Sequence, residues 1–419
     1  MARGEMLAVY AFMLFVGACG AGLLLNGFFP DAPLSSSQDG PGGSSTGLDP
    51  DLRQAPKARV IFMIIDAMRA DFVYQQASRF AYINSKLSRG EVLAFTTRAQ
   101  PPTVTLPRLK SMIAGSIPGF LDVAANLNAP EMREDNVISR AMSAGRSVLM
   151  FGDETWLRLF PTGFKRSDGT TAFFVLDTEE VDHNVTRHVL PELARDDWDL
   201  MVLHYLGLDH AGHLGGAHSS TMARKQREMD ALVQLMQGTI EQDQQAGRRP
   251  TILVVASDHG MNDQGNHGGA SDAEADATAL FFHARSPGQH LPGTPFPSAS
   301  QVDLAPTLAL LLGVDVPSGS TGRVLPGTLA HLPLRERVQM LARNAAQLRT
   351  LLSSTRPNGW ERLAEALRKA EQAAGTCPGS TNEESTNEEP TNEECAAVEA
   401  ALDAALSAGA GGMSGDRGG

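Results

Sequence analysis

An α/β fold, with a parallel sheet covered by helices on both faces, is what this sequence predicts, and three observations predict it. Apolar runs near 58–65, 147–151, 173–176, 198–206 and 251–257 read as strands and alternate with stretches of helical character, the order in which crossover helices connect parallel strands. Clusters of Asp and His stand at or just past the ends of three apolar runs, as Asp66, Asp209-His-Ala-Gly-His213 and Asp258-His259, and His267 follows the last of these by a short loop. A parallel sheet would bring all four clusters to one edge. The chain has 419 residues, 42% of them apolar, enough for a sizeable core.

Residues 1–30 form the first element. Leu7 to Leu25 is an uncharged run of 19 residues preceded by Arg3, long enough to cross a bilayer. It reads as a signal anchor, or transmembrane helix, with a cytosolic N-terminus. The small residues of Gly17-Ala-Cys-Gly-Ala-Gly22 leave a cleaved signal peptide as the alternative. Asn184-Val185-Thr186 is then a glycosylation acceptor sequence facing the lumen. Residues 31–56, rich in Ser, Gly, Pro and Asp, read as a flexible linker.

Residues 57–330 are the folded domain. Besides the strands it contains an expected helix at 219–238, an apolar helix from Gln301 to Leu312, and a closing loop from Pro317 to Arg323. Residues 331–375 are a helical extension, with apolar residues three or four apart and a break at Pro357-Asn-Gly359 that divides two amphipathic helices. Residues 376–419 read as a disordered tail. Its pentapeptides Ser380-Thr-Asn-Glu-Glu384, Ser385-Thr-Asn-Glu-Glu389 and Pro390-Thr-Asn-Glu-Glu394 are acidic, and its end is Gly-rich. A net charge of −13 without any basic run argues against a nucleic-acid partner. Three cysteines exclude a disulfide framework for the domain. Cys377 and Cys395 bracket the repeats and either pair in an oxidising lumen or stand as free thiols.

The Asp and His clusters suit a pair of zinc ions, with other divalent cations able to take their place, because imidazole and carboxylate are zinc ligands and two-metal sites hold both oxygens of an in-line phosphoryl displacement. Thr105 offers a nucleophile. It lies just before Pro107, and Pro favours the first turn of a helix, so Thr105 would sit at a helix N-terminus whose free N–H groups favour a phosphate. A plain capping role for Thr105 is the alternative, and Thr103 is the second candidate nucleophile.

The order Asp66, Thr105, Asp209, His213, Asp258, His259, His267 resembles the alkaline phosphatase superfamily in its nucleotide pyrophosphatase/phosphodiesterase-like branch. The text between these residues is more specific. Ile65 to Phe72, Pro101 to Arg108, Phe151 to Trp156, Asp168 to Phe174, Asn184 to His188, His204 to His210 and Gln301 to Gly313 are similar to the lumenal domain of the GPI ethanolamine phosphate transferases, in particular those acting on the second mannose. The match covers roughly residues 58–325.

The resemblance implies an alkaline phosphatase-like fold and a division of the ligands. Asp66, Thr105, Asp258 and His259 would hold one zinc, and Asp209, His213 and His267 the other. Thr105 takes the nucleophile position, ten residues before Gly115. Asn126, or Asn128 beside it, would bind phosphate. His204, Asp153 and Glu154 are either supporting and substrate groups or buried structural ones. The implied reaction transfers phosphoethanolamine from phosphatidylethanolamine to a mannose of a GPI precursor through a phosphothreonine-type intermediate, at the endoplasmic reticulum membrane with the domain in the lumen. The alternatives are a lumenal phosphodiesterase or pyrophosphatase, with water as acceptor, and a non-catalytic partner subunit. The chain departs from the family in showing no apolar span after residue 325 long enough to cross a bilayer. A small multispanning partner subunit would then supply those helices.

Overall fold

A computed structural model describes residues 58–75, 77–117, 131–172, 174–284, 296–355, 361–374 and 392–415. The apolar run at Leu7 to Leu25, the linker, Asn126, Asn128 and Cys377 lie outside the described residues. Among the described residues no helix is long and apolar enough to cross a membrane.

Eight strands form one sheet: β1 (Arg59–Ile65), β2 (Leu93–Arg98), β3 (Val148–Asp153), β4 (Phe164–Thr170), β5 (Leu200–Tyr205), β6 (Thr251–Ala256), β7 (Asp276–Phe281) and β8 (Ser298–Ser300), in the order β4-β3-β5-β1-β6-β7-β2-β8. The expected parallel arrangement holds for the centre, where β3, β5, β1 and β6 pair in parallel. One strand departs from it, because β7 is antiparallel to both β6 and β2, so the sheet is mixed. Strand direction is not encoded in apolar periodicity, which is why the sequence did not distinguish β7.

Every residue of β1 is buried, and its side chains divide between two cores. Val60, Phe62 and Ile64 enter one, and Ile61, Met63 and Ile65 the other. This is the period-two alternation of a strand covered on both faces. The helices that supply the cover and the site are α1 (Thr105–Ala114), α2 (Glu180–Leu193), α3 (Gly207–Gly215), α4 (Ser220–Gln245) and α5 (Leu304–Leu311).

The strand expected at 173–176 is corrected. The segment past β4 is a turn, with Phe174 58% and Leu176 69% exposed, and the strand is Phe164–Thr170 instead. As an edge strand, β4 is held by charge rather than by apolar burial: Arg166 forks onto Glu192 at 2.7 and 2.8 Å and onto Asp197 at 2.8 and 2.9 Å.

The place of Asn184 in the fold argues against the glycosylation reading. Asn184 lies within α2 and is buried, and a glycan is a bulky surface group that a packed helix face cannot accommodate. Expressed in eukaryotic cells, the protein should show no endoglycosidase-sensitive mass at this position, and Asn184→Gln should leave its electrophoretic mobility unchanged.

Beyond the sheet, α6 (Leu334–Thr355) and α7 (Glu361–Ala374) are the two extension helices. Within the tail expected to be disordered, Asn392–Gly415 instead forms α8, which packs on both of them, and the rest of the tail lies outside the described residues. Its Ala-rich composition favours a helix, and Leu402 and Leu406 are buried in the contact. Cys395 is buried and disulfide-bonded.

The loop 317–323 is tied to Asp303, just before α5. Its carboxylate accepts the Ser300 amide at 3.0 Å and the Arg323 amide at 2.9 Å. Burial pushes the Asp303 carboxyl up to about 6 from 3.8, against those two amides. A raised folded-state value means that the stabilising contribution is full below the unfolded value and is lost as pH rises through about 6. Above pH 7 the loss should approach about 3 kcal/mol. Urea midpoints of the parent and of Asp303→Asn should therefore converge or cross between about pH 4 and 7, the parent losing the more with rising pH.

Candidate active site

The carboxyl ends of β1, β5 and β6 lie side by side, and the residues just past them build the site. Asp66 follows Ile65 in a turn whose next residue, Ala67, has φ +56°, a left-handed conformation uncommon for a side chain with a Cβ and typical of functional sites. The Ala67 amide donates to Asp258 Oδ1 at 3.2 Å, which ties the end of β1 to the end of β6. Asp209 and His213 are one helical turn apart on α3, which begins directly after β5. Asp182 anchors that helix, accepting the Leu206 and Gly207 amides at 3.1 and 2.9 Å and pairing with the fully buried Lys225 of α4 at 2.5 Å.

Two groups result, each with its ligand atoms within 4.8 Å of one another: Asp66, Asp258 and His259, and Asp209, His213 and His267. In the first, His259 Nε2 is 3.2 Å from Asp258 Oδ2 and 3.5 Å from Asp66 Oδ1. Its Nδ1 donates to the Gly260 carbonyl at 2.9 Å, which leaves Nε2 free for a cation. In the second, His213 Nε2 is 3.2 Å from Asp209 Oδ2 and 3.1 Å from His267 Nε2, and His267 Nε2 is 3.6 Å from Asp209 Oδ1. The His259 and His267 rings stack at 4.1 Å, so the two groups adjoin.

Thr105 is the first residue of α1, and the preceding Val104 has no side chain that can cap the helix. The Thr105 hydroxyl is therefore not spent on capping. It lies 3.3 Å from Asp66 Oδ2 and 3.4 Å from His259 Nε2. At the other end of α1, Gly115 caps the helix at φ +70°, where a Cβ would stand 2.1 Å from Ser320 Oγ. The spacing from Thr105 to Gly115 is thus the length of the helix.

Thr103, the second candidate, is fully buried and does other work. Its hydroxyl donates to the Gly269 carbonyl at 3.0 Å and accepts the Gly268 amide at 2.9 Å. Its carbonyl accepts from His267 Nδ1 at 2.8 Å, which turns His267 Nε2 towards Asp209. This role was missed in the sequence, where nothing marks Thr103 as a partner of His267.

Burial, followed by the negative charge of Asp258, Asp209 and Asp153, pushes the Asp66 carboxyl well above its ordinary range. Burial also pushes Asp209 upward, but His213 and His267 outweigh it and hold that carboxyl below its ordinary value. His259 is lowered by burial, against the nearby Asp258. Asp66 Oδ1, Asp258 Oδ2 and Asp209 Oδ1 are buried without a hydrogen-bond partner. Unpaired buried carboxylate oxygens are costly, and a divalent cation in each group would satisfy them. The oxygen and imidazole donors suit zinc, so the residues present fit the metals that the sequence implied.

His204 and Asp153 are buried beside Asp66, and Glu154 pairs with Arg158 at the surface. Gln301 holds the Asp258 carbonyl through its amide, a contact that nothing in the sequence signalled.

The family model described as type I phosphodiesterase / nucleotide pyrophosphatase matches residues 60–273. GPI ethanolamine phosphate transferase 2 of Aspergillus fumigatus is 43% identical over 327 residues, covering 73% of this chain and 42% of that protein. The human GPI ethanolamine phosphate transferase 2, catalytic subunit, is 39% identical over 359 residues, covering 81% of this chain and 36% of the human one. The Eremothecium gossypii GPI ethanolamine phosphate transferase 2 is 44% identical over 286 residues, covering 63% of this chain and 35% of its own. The chain thus spans less than half the length of these relatives.

Proposed function

The chain belongs to the type I phosphodiesterase / nucleotide pyrophosphatase family, and from that premise we propose that it transfers phosphoethanolamine from phosphatidylethanolamine to a mannose hydroxyl of a GPI precursor. The names of the relatives supply the transferred group, ethanolamine phosphate, and the GPI acceptor class; the phospholipid donor and the mannose are part of the proposal. The observation that carries the chemistry is the Thr105 hydroxyl, at a helix N-terminus that it does not cap and within 3.4 Å of both Asp66 and His259.

Asp66, Asp258, His259 and Thr105 would hold one divalent cation, and Asp209, His213 and His267 the other. Bound there, the cations would supply Lewis acidity that favours the threonine alkoxide and neutralises charge on the phosphoryl oxygens. The chain's own residues do the rest. Thr105 Oγ attacks the phosphorus and its bond to the diacylglycerol oxygen breaks, with the Thr105 proton balancing the departing alcohol. Asp66 Oδ2 is the acceptor nearest to hand for that proton, at 3.3 Å. The N-terminal amides of α1 face the phosphoryl group, because they have no intrahelical acceptor. A mannose hydroxyl then displaces Thr105 in line and returns its proton.

The same reading places the domain in the lumen at the endoplasmic reticulum membrane, with a multispanning membrane subunit as partner. The test uses the full chain in detergent micelles with phosphatidylethanolamine labelled in the ethanolamine and a mannosylated GPI precursor. Label on the glycan is the expected result. Label released as free phosphoethanolamine identifies a hydrolase with water as acceptor, and absence of both products contradicts the proposal.

A further inference from the structure

We propose that His204 is a positioning residue for Asp66, with the Trp156 indole holding its imidazole in the single tautomer whose N–H faces the Asp66 carboxylate. The inference rests on the metal reading given above, and it concerns how that reading's central carboxylate is aimed.

Trp156 Nε1 lies 3.2 Å from His204 Nδ1. An indole nitrogen can only donate, so Nδ1 accepts and carries no proton, and the proton of the neutral ring must sit on Nε2. That nitrogen is buried, has no hydrogen-bond partner among the described residues, and lies 3.6 Å from Asp66 Oδ2. Trp156 and His204 are both fully buried, so water does not compete for either contact. Asp153 is also near, with Oδ2 at 4.0 Å from Nδ1, but its other oxygen accepts the Thr155 amide at 2.8 Å and the indole occupies Nδ1.

The two oxygens of Asp66 have different neighbours. Oδ2 faces Thr105 and His204, whereas Oδ1 faces His259 Nε2 at 3.5 Å. Rotation of the carboxylate about its bond to Cβ would exchange them. An N–H dipole fixed on the Oδ2 side favours the orientation that keeps Oδ1 for the Asp258 and His259 group. Groups of this kind, one shell out from a ligand, fix its orientation and tune its affinity. The strand beside them is built for this approach: Gly152, at the end of β3 with φ +138°, would with a Cβ stand 2.3 Å from the His204 carbonyl oxygen.

The experiment reads cobalt(II) binding alone, without substrate, in an Asp209→Ala background so that only the Asp66 group loads. His204→Met removes the N–H at similar volume and should weaken cobalt affinity by about 10- to 100-fold, with a shift of the visible absorption bands. His204→Gln can present an amide N–H to Asp66 and should retain affinity within a few-fold of the parent. Trp156→Phe, which releases the tautomer, should fall between them and carries the test if His204→Met does not fold. Near-ultraviolet circular dichroism establishes that each variant is folded. A folded His204→Met with the parent's affinity and spectrum, or equal losses in His204→Met and His204→Gln, would overturn the inference. An Asp209→Ala parent that binds no cobalt would overturn the metal reading itself, an outcome distinct from a loaded parent whose variants are indifferent.

Discussion

Thr105→Ala should reduce turnover by on the order of 10⁴-fold or more, the scale on which an enzyme loses rate when its nucleophile is deleted, while the fold and the metal sites persist. The structural cost is small because Thr105 does not cap α1, Val104 precedes it as the cap residue, and Ala is well tolerated in a first helical turn. Losing one long hydrogen bond to Asp66 from a half-buried side chain should alter stability by no more than about 1 kcal/mol. Metal content measured on the purified variant should stay near the parent's, because three protein ligands of that group remain. Thr103→Ala should behave in the opposite way. It loses the contacts to Gly268 and Gly269, which should cost about 1–3 kcal/mol, and it loosens His267, so that metal occupancy falls more than the capacity for covalent chemistry. Turnover assayed at saturating metal separates the two variants, since added metal should restore Thr103→Ala and leave Thr105→Ala inactive.

Asp258→Asn should abolish one metal site and at the same time stabilise the metal-free protein. In the metal-free site two buried carboxylates, Asp66 and Asp258, face one another, and Asp258 Oδ2 has no hydrogen-bond partner. An asparagine keeps Oδ1 for the Ala67 and His259 amides, now at 3.2 and 2.9 Å. It also replaces a like charge with an amide donor directed at Asp66. Relief of that repulsion should raise metal-free stability by about 1 kcal/mol, within the range found when a functional site is traded for stability. Turnover should fall by at least the roughly 10²- to 10³-fold that one lost electrostatic contact to a transition state costs. Thermal unfolding in chelator and in added metal checks both halves: the variant should melt above the parent in chelator, and only the parent should gain stability on metal addition.

The parts of the fold that the sequence disclosed are those where one physical signal dominates. The cores of β1, β3, β5 and β6 are apolar runs buried on both faces, and α4 carries a regular apolar stripe from Met222 to Ile240. β4 escaped notice because its sequence, Phe164 to Thr170, is mostly polar, and Arg166 ties it to Glu192 of α2 by ion pairs rather than by apolar packing. The neighbouring apolar residues Phe174 and Leu176 gave a misleading signal, being exposed in a turn. β2 and β7 bury Thr96, Thr97 and Thr278, and such hydroxyl-bearing strands lack a clear apolar pattern. The Asn184 triplet is a local match, and a local match carries no information about burial in a helix face.

At the site, the seven residues expected to converge do so, because each follows a recognisable strand end or occupies a helix or loop that a strand end fixes. The contacts that aim them were less legible. Thr103 acts on His267 across 164 residues, and Trp156 acts on His204 across 48, and spacings of that length have no periodic trace in a sequence.

The central claim is that Thr105 becomes covalently bonded to phosphorus. The most direct measurement is peptide mass spectrometry of the metal-loaded protein quenched in acid after a pulse of phosphatidylethanolamine without acceptor. The account predicts phosphoethanolamine on the peptide containing Thr105, with fragment ions placing it on that residue, and its removal when the mannosylated acceptor is added before the quench. An adduct on Thr103, or turnover at a measurable rate by Thr105→Ala with no adduct in the parent, would contradict it.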